Sequence, residues 1–99
     1  MRLYEIAHSR TGDKGDISTI SVIAYNHADY DRIKQSVTED RVLQHFAVVG
    51  ATAAERYELP QLGALNFVLH NTLGGGVTRS LALDTHGKSL SALMLEMEI

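Results

Sequence analysis

Apolar and polar side chains alternate over residues 17–25 (Ile-Ser-Thr-Ile-Ser-Val-Ile-Ala-Tyr), a stretch rich in β-branched residues, and this predicts a strand. Ile20, Val22 and Ala24 fall on one face, with Ile23 and Tyr25 on the other, so the strand is expected at the centre of a sheet. Ser18 and Ser21 are small hydroxyls that either line a site or face solvent. Residues 2–8 read as an earlier strand with Tyr4, Ile6 and His8 on one face. Residues 54–59 alternate as a third, stopped by Pro60. Residues 80–84 and 89–99 read as the last two, joined by a hairpin connection at 85–88.

The period changes to that of a helix between these strands. Asp29 stands where a cap would precede a short helix carrying Ile33 and Val37. Thr38 then opens a second run, with Glu39 and Asp40 in its first turn, Val42, Leu43 and Phe46 on its apolar face, and Gly50 as its stop. His45 lies beside that face and reads as a surface residue. Residues 62–73 fit two patterns. Leu62, Leu65, Leu69 and Leu73 make a helical stripe, and Leu65, Phe67 and Leu69 make a strand face; the length and the glycine stop at Gly74-Gly75-Gly76 favour the helix. The order is then β-β-α-β-α-β-β. It describes one α+β domain over residues 1–99, a two-layer sandwich with two helical segments on one face of a mainly antiparallel sheet. The apolar residues on the far face of the 17–25 strand call for a covering surface, so a homo-oligomer or a companion subunit is expected.

Composition narrows the chemistry. Ninety-nine residues suffice for one buried core. The chain has no cysteine, which excludes disulfides, a thiolate nucleophile and thiolate metal sites and fits a reducing cytoplasm. A net charge of −3 supplies no broad basic face for nucleic acid. No apolar run is long enough to span a membrane, and the N-terminus lacks a basic-then-apolar signal, so a soluble cytoplasmic protein is expected.

Two stretches are poorly explained by folding. Ser9-Arg10-Thr11-Gly12-Asp13-Lys14-Gly15-Asp16 packs four charged residues and two glycines between two strands. A solvated turn is the plain reading. The alternative is a loop whose glycines, Gly12 and Gly15, let backbone N–H groups face one point, with Arg10 and Lys14 adding positive charge and Asp13 and Asp16 holding its shape. Gly74-Gly75-Gly76-Val77-Thr78-Arg79-Ser80 is the second stretch. It is either a connector or a close-approach backbone whose Thr78, Arg79 and Ser80 suit a carboxylate or phosphate. Neither matches the dinucleotide or P-loop spacing. Asn66 is a polar residue placed to orient a ligand or to satisfy backbone groups. His8, with Asp13 or Asp16, could serve acid–base chemistry, though nothing in the spacing requires it. No His-x-His or HExxH spacing supports a metal site, and no cofactor is expected.

The motifs His-Ser-Arg-Thr-Gly-Asp-Lys-Gly-Asp, Leu-Gly-Ala-Leu-Asn-Phe-Val-Leu and Leu-Gly-Gly-Gly-Val-Thr-Arg-Ser-Leu together resemble the AtuA-like ferredoxin-fold domain, found at the C-terminus of acyclic terpene utilisation proteins and as a separate short chain. The resemblance spans essentially the whole sequence. It implies a ferredoxin-like fold and a bacterial catabolic setting involving citronellol, geraniol or other branched acyl-CoA compounds, and it carries over no catalytic residue. The large N-terminal domain of that family's longer members is not part of this sequence, so a larger AtuA-type protein is an expected partner. The leading expectation is an accessory domain or subunit binding an anionic metabolite, a carboxylate or acyl-CoA, through Arg10, Gly12, Lys14, Gly15, Asn66, Gly74, Gly75, Gly76, Thr78 and Arg79. An interaction module without ligand chemistry is the second, and a small hydratase or isomerase using His8 with Asp13 or Asp16 is the third.

Overall fold

The computed structural model describes residues 1–14, 17–71 and 88–99, with the backbone alone for residues 13, 14, 88 and 89. Four strands form one antiparallel sheet: β1 (Ala7–Lys14), β2 (Ile17–Ala24), β3 (Ala53–Leu59) and β4 (Ala64–His70), in the spatial order β1-β2-β4-β3. Helices α1 (Tyr30–Ser36) and α2 (Glu39–Phe46) connect β2 to β3, and α3 (Lys88–Leu95) packs against β1. The α+β class and the two-layer arrangement stand as the sequence implies.

The register assigns each side chain to a layer, because cross-strand partners share a face. Ala7, Ser9 and Thr11 of β1 pair with Ala24, Val22 and Ile20 of β2, and Val22, Ile20 and Ser18 pair with Leu65, Phe67 and Leu69 of β4. This face meets the helices. Ile20, Val22, Leu65, Phe67 and Leu69 are fully buried there against Ile33, Val42, Phe46 and Met94. The other face has no helix among the described residues packed on it.

The helices begin and end for local reasons. Thr38 Oγ1 accepts from the Arg41 backbone N–H at 3.3 Å and starts α2, the cap its spacing predicts. Gly50 follows at φ 92, and Gly63 at φ 61 closes the short β3–β4 connection; both lie in the left-handed region that suits glycine. Asp29 precedes α1 without a side-chain capping bond; Asn26 instead caps the preceding 3-10 turn, its Oδ1 accepting from Ala28 N at 3.0 Å. His45 is half-buried rather than superficial, its Nε2 against the Leu93 carbonyl of α3. The chain ends are joined by Leu3 N to Met97 O and Ile99 N to Met1 O, each 2.9 Å.

Four expected segments differ. The first strand begins at Ala7 rather than Arg2, and residues 3–5 form a 3-10 turn that buries Leu3. Ser9–Lys14, expected as a loop, are the body of that strand, because pairing with all of β2 from Ala7↔Ala24 to Lys14↔Ile17 satisfies their backbone. Residues 62–73, read as a helix, contain β4; strands on both sides hold Ala64–His70 extended, and that tertiary pairing overrides the leucine stripe. Residues 89–99, read as a strand, include all of α3 but its first residue. Leu90, Met94 and Met97 are buried at helical spacing, and the Leu, Met, Ala and Glu content favours that state. The expected strand at 80–84 lies outside the described residues, as does the 85–88 connection except for Lys88, which begins α3.

Candidate functional site

The uncovered sheet face collects residues far apart in sequence. One row across all four strands reads Arg10 (β1), Ser21 (β2), Asn66 (β4) and Tyr57 (β3). With strands about 4.8 Å apart, the Arg10 and Asn66 backbones lie about 10 Å from each other. The next row reads Gly12, Thr19, Val68 and Glu55, and the row beyond reads Lys14, Ile17, His70 and Ala53. On the other side of the first row lie His8, Ile23, Ala64 and Leu59.

The face has a small polar centre and a bulky rim. Ser21, Thr19 and Asn66 occupy the middle strands. Tyr25 is 68% exposed and stacks on His8 with ring centroids 5.2 Å apart, and Tyr57 is 50% exposed on the opposite edge strand. Gly12 leaves a notch beside Arg10. A Cβ there would come within 3.1 Å of Thr19 Oγ1, which itself donates to the Gly12 carbonyl at 3.3 Å. Gly12 is thus a close-approach glycine in a strand.

Charge divides across the face. Arg10 on β1 is exposed and has no ion-pair partner among the described residues. On β3, Glu55 accepts from the Tyr57 hydroxyl at 2.7 Å, and its other oxygen lies 3.1 Å from His70 Nε2. The tyrosine hydrogen bond, then the histidine, hold the Glu55 carboxyl below its ordinary value. The same hydrogen bond raises Tyr57 above the ordinary phenol value.

Of the residues singled out in the sequence, His8, Arg10, Gly12, Ser21 and Asn66 share this face. Lys14 ends β1 and pairs with Ile17, which pairs with His70, so the end of β1, the start of β2 and the end of β4 stand side by side. The start of α3 lies toward the same end, since Ser91 hydrogen-bonds to Thr11 while Met97 reaches back to Leu3. The residues bordering both glycine-rich stretches therefore share one end of the sheet. Gly15, Asp16, Gly74, Gly75, Gly76, Thr78, Arg79 and Ser80 lie outside the described residues, as does the side chain of Asp13. His8 is internal to β1, and Asp13 lies five positions further on, about 16 Å along a strand.

Tyr57, Glu55 and His70 join the site only through the sheet. The alternating strand read over residues 54–59 already contains Glu55 and Tyr57. A cleft of about 400 Å³ at the start of α2, lined by Thr38, Glu39, Asp40, Arg56 and Glu58, lies on the helix side and is internally paired: Arg56 bonds Glu58, and Glu39 accepts from the Arg56 backbone. Among the described residues no group of three His, Asp or Glu side chains could hold a metal ion, and no helix is long and apolar enough to cross a membrane.

Comparison with known proteins gives a match to the family model described as AtuA ferredoxin-like domain, over residues 1–99. No curated protein and no solved structure matches the chain.

Proposed function

From the premise that this chain belongs to the AtuA ferredoxin-like domain family, we propose that it is a cytoplasmic accessory binding domain whose open sheet face receives an acidic group. The ligand class is a carboxylate or acyl-CoA metabolite of acyclic terpene or branched acyl-CoA catabolism. The observation that carries this reading is the row Arg10, Ser21, Asn66, Tyr57, which sets a cation with no ion-pair partner among the described residues in line with three neutral hydrogen-bonding side chains. Lys14, Gly15, Gly74, Gly75, Gly76, Thr78 and Arg79 complete the set of receptor residues proposed from the sequence. Calorimetric titration of acyl-CoA and dicarboxylate ligands into wild type and Arg10→Ala tests it. Saturable binding that weakens in the variant is expected, and equal, negligible binding by both rejects the reading.

A second reading is favoured by the openness of the face. Exposed Tyr25, Tyr57 and Leu59 on a flat sheet suit a protein surface better than a small molecule, which prefers a concave site. In that reading the domain docks on a larger AtuA-type protein. Co-purification with such a protein, lost on Arg10→Glu and Tyr25→Ala, is the expected result, and retention by both variants counts against it.

A further inference from the structure

We propose that a second copy of this chain covers the open sheet face, about a two-fold axis parallel to the strands, and that Glu55 of each copy supplies the acidic group received beside Arg10 of the other. The inference rests on the reading that this face receives an acidic group, and it names the partner that brings it.

Two sheets packed face to face lie about 10 Å apart with their strands nearly aligned. A two-fold parallel to the strands lays β1 over β3 and β2 over β4 of the other copy, row upon row. Arg10 then faces Tyr57, and Gly12 faces Glu55. The notch at Gly12 leaves space for that carboxylate, with Arg10 two residues away on the same face. Ser21 faces Asn66 and Asn66 faces Ser21, so the central polar side chains find each other across the axis. Ile23 faces Ala64, matching a large residue with a small one. The alternative axis, in the sheet plane but perpendicular to the strands, lays β1 on β1 and β3 on β3. It brings Arg10 toward Arg10 and Glu55 toward Glu55, and like charges so juxtaposed are unfavourable. The separation of charge between the two edge strands therefore selects the first arrangement.

The test is a concentration series by sedimentation equilibrium on wild type, Arg10→Glu, Glu55→Arg and the double exchange, with circular dichroism to confirm folding. Both positions are exposed, so all four chains should fold. A wild-type dimer is expected, each single exchange raising its dissociation constant about tenfold or more, and the double exchange recovering most of that loss. A wild type that is monomeric throughout, a dimer indifferent to both single exchanges, or a double exchange no better than the singles overturns the proposal. Monomeric protein that still binds a carboxylate through Arg10 overturns the second copy alone and leaves the ligand reading standing. A dimer with the expected charge exchange but no ligand binding does the reverse.

Discussion

The backbone N–H of Arg56, on the outer edge of β3, donates to Glu39 Oε2 of α2 at 2.8 Å. An open strand edge is a template for unwanted pairing, and here a helix side chain occupies one of its donors. Glu39→Ala should lower stability by about 1 kcal/mol. It should also raise hydrogen exchange at the Arg56 amide, while Glu39→Gln, which keeps an acceptor, should lose less. Urea unfolding and amide exchange check this together. An unchanged Arg56 amide in the alanine variant would show that the edge is protected in another way.

The side chain of the same residue closes α1. Arg56 Nη1 donates to the carbonyls of Lys34 at 2.7 Å and Val37 at 2.9 Å, at the end of a helix whose last carbonyls have no partner within it. A flat guanidinium can span two such oxygens, and an ammonium does so less well. Arg56→Met should cost about 2 kcal/mol and Arg56→Lys about half of that, in denaturant unfolding. Equal costs for the two would assign the effect to lost packing rather than to the paired carbonyls.

The sheet's centre was legible because β2 is amphipathic at strand period and β-branched on both faces. The caps at Thr38 and Gly50 and the stop at Pro60 were equally legible, since each acts through local backbone chemistry. Leu62, Leu65 and Leu69 misled because β4 is buried between two neighbours. A central strand of leucines has no period of its own that separates it from a buried helix. The 89–99 stretch misled in the opposite direction, since over eleven residues with many apolar side chains either period finds support. Arg10 and Asn66 were identified singly as binding residues. Their shared row was not readable, because it depends on β4 being a strand and on the register that pairs Ser21 with both. The turn end of the site illustrates the same limit: only the pairing of Ile17 with His70 brings the borders of the two glycine-rich stretches together.

Two glycines on this sheet separate conformational need from spatial need. Gly63 has φ +61, and a Cβ there would stand 3.1 Å from the His27 ring, which itself contacts the Pro60 carbonyl in the same turn. Gly63→Ala should therefore cost about 1–2 kcal/mol through the left-handed backbone. Gly12 needs no unusual φ, and among the described residues its only tight neighbour is the rotatable Thr19 hydroxyl. Gly12→Ala should change stability by no more than about 0.5 kcal/mol, because strand entropy offsets the contact. Whatever the open face binds should nonetheless be held less tightly by it. Thermal unfolding of both variants, beside a binding measurement on Gly12→Ala, distinguishes them; a large stability loss at Gly12 would contradict the notch.

Glu55 links the open face to pH. Its ionised carboxylate accepts from Tyr57 and lies against His70, contacts the unfolded chain lacks, so its folded proton affinity is reduced relative to the ordinary 4.5. Below 4.5 the unfolded chain takes up this proton before the folded one, and stability falls with pH through that window. Above it the contribution is whole. The stability gap between wild type and Glu55→Gln should accordingly be widest near neutral pH and should close as the pH drops below the lowered value. Tyr57 carries the opposite sign. Its phenol is held above 10.0 by the same hydrogen bond, so the neutral form favours the fold, and that contribution is present below 10.0 and lost as the pH rises through the folded value. Absorbance titration near 295 nm, in a background with Tyr4, Tyr25 and Tyr30 replaced by Phe, should place Tyr57 above the ordinary phenol and return it toward 10.0 on Glu55→Gln. A stability gap that is the same at pH 7 and pH 3 would mean that the carboxylate gains nothing from its two neighbours. The acidic edge of the open face would then rest on position alone.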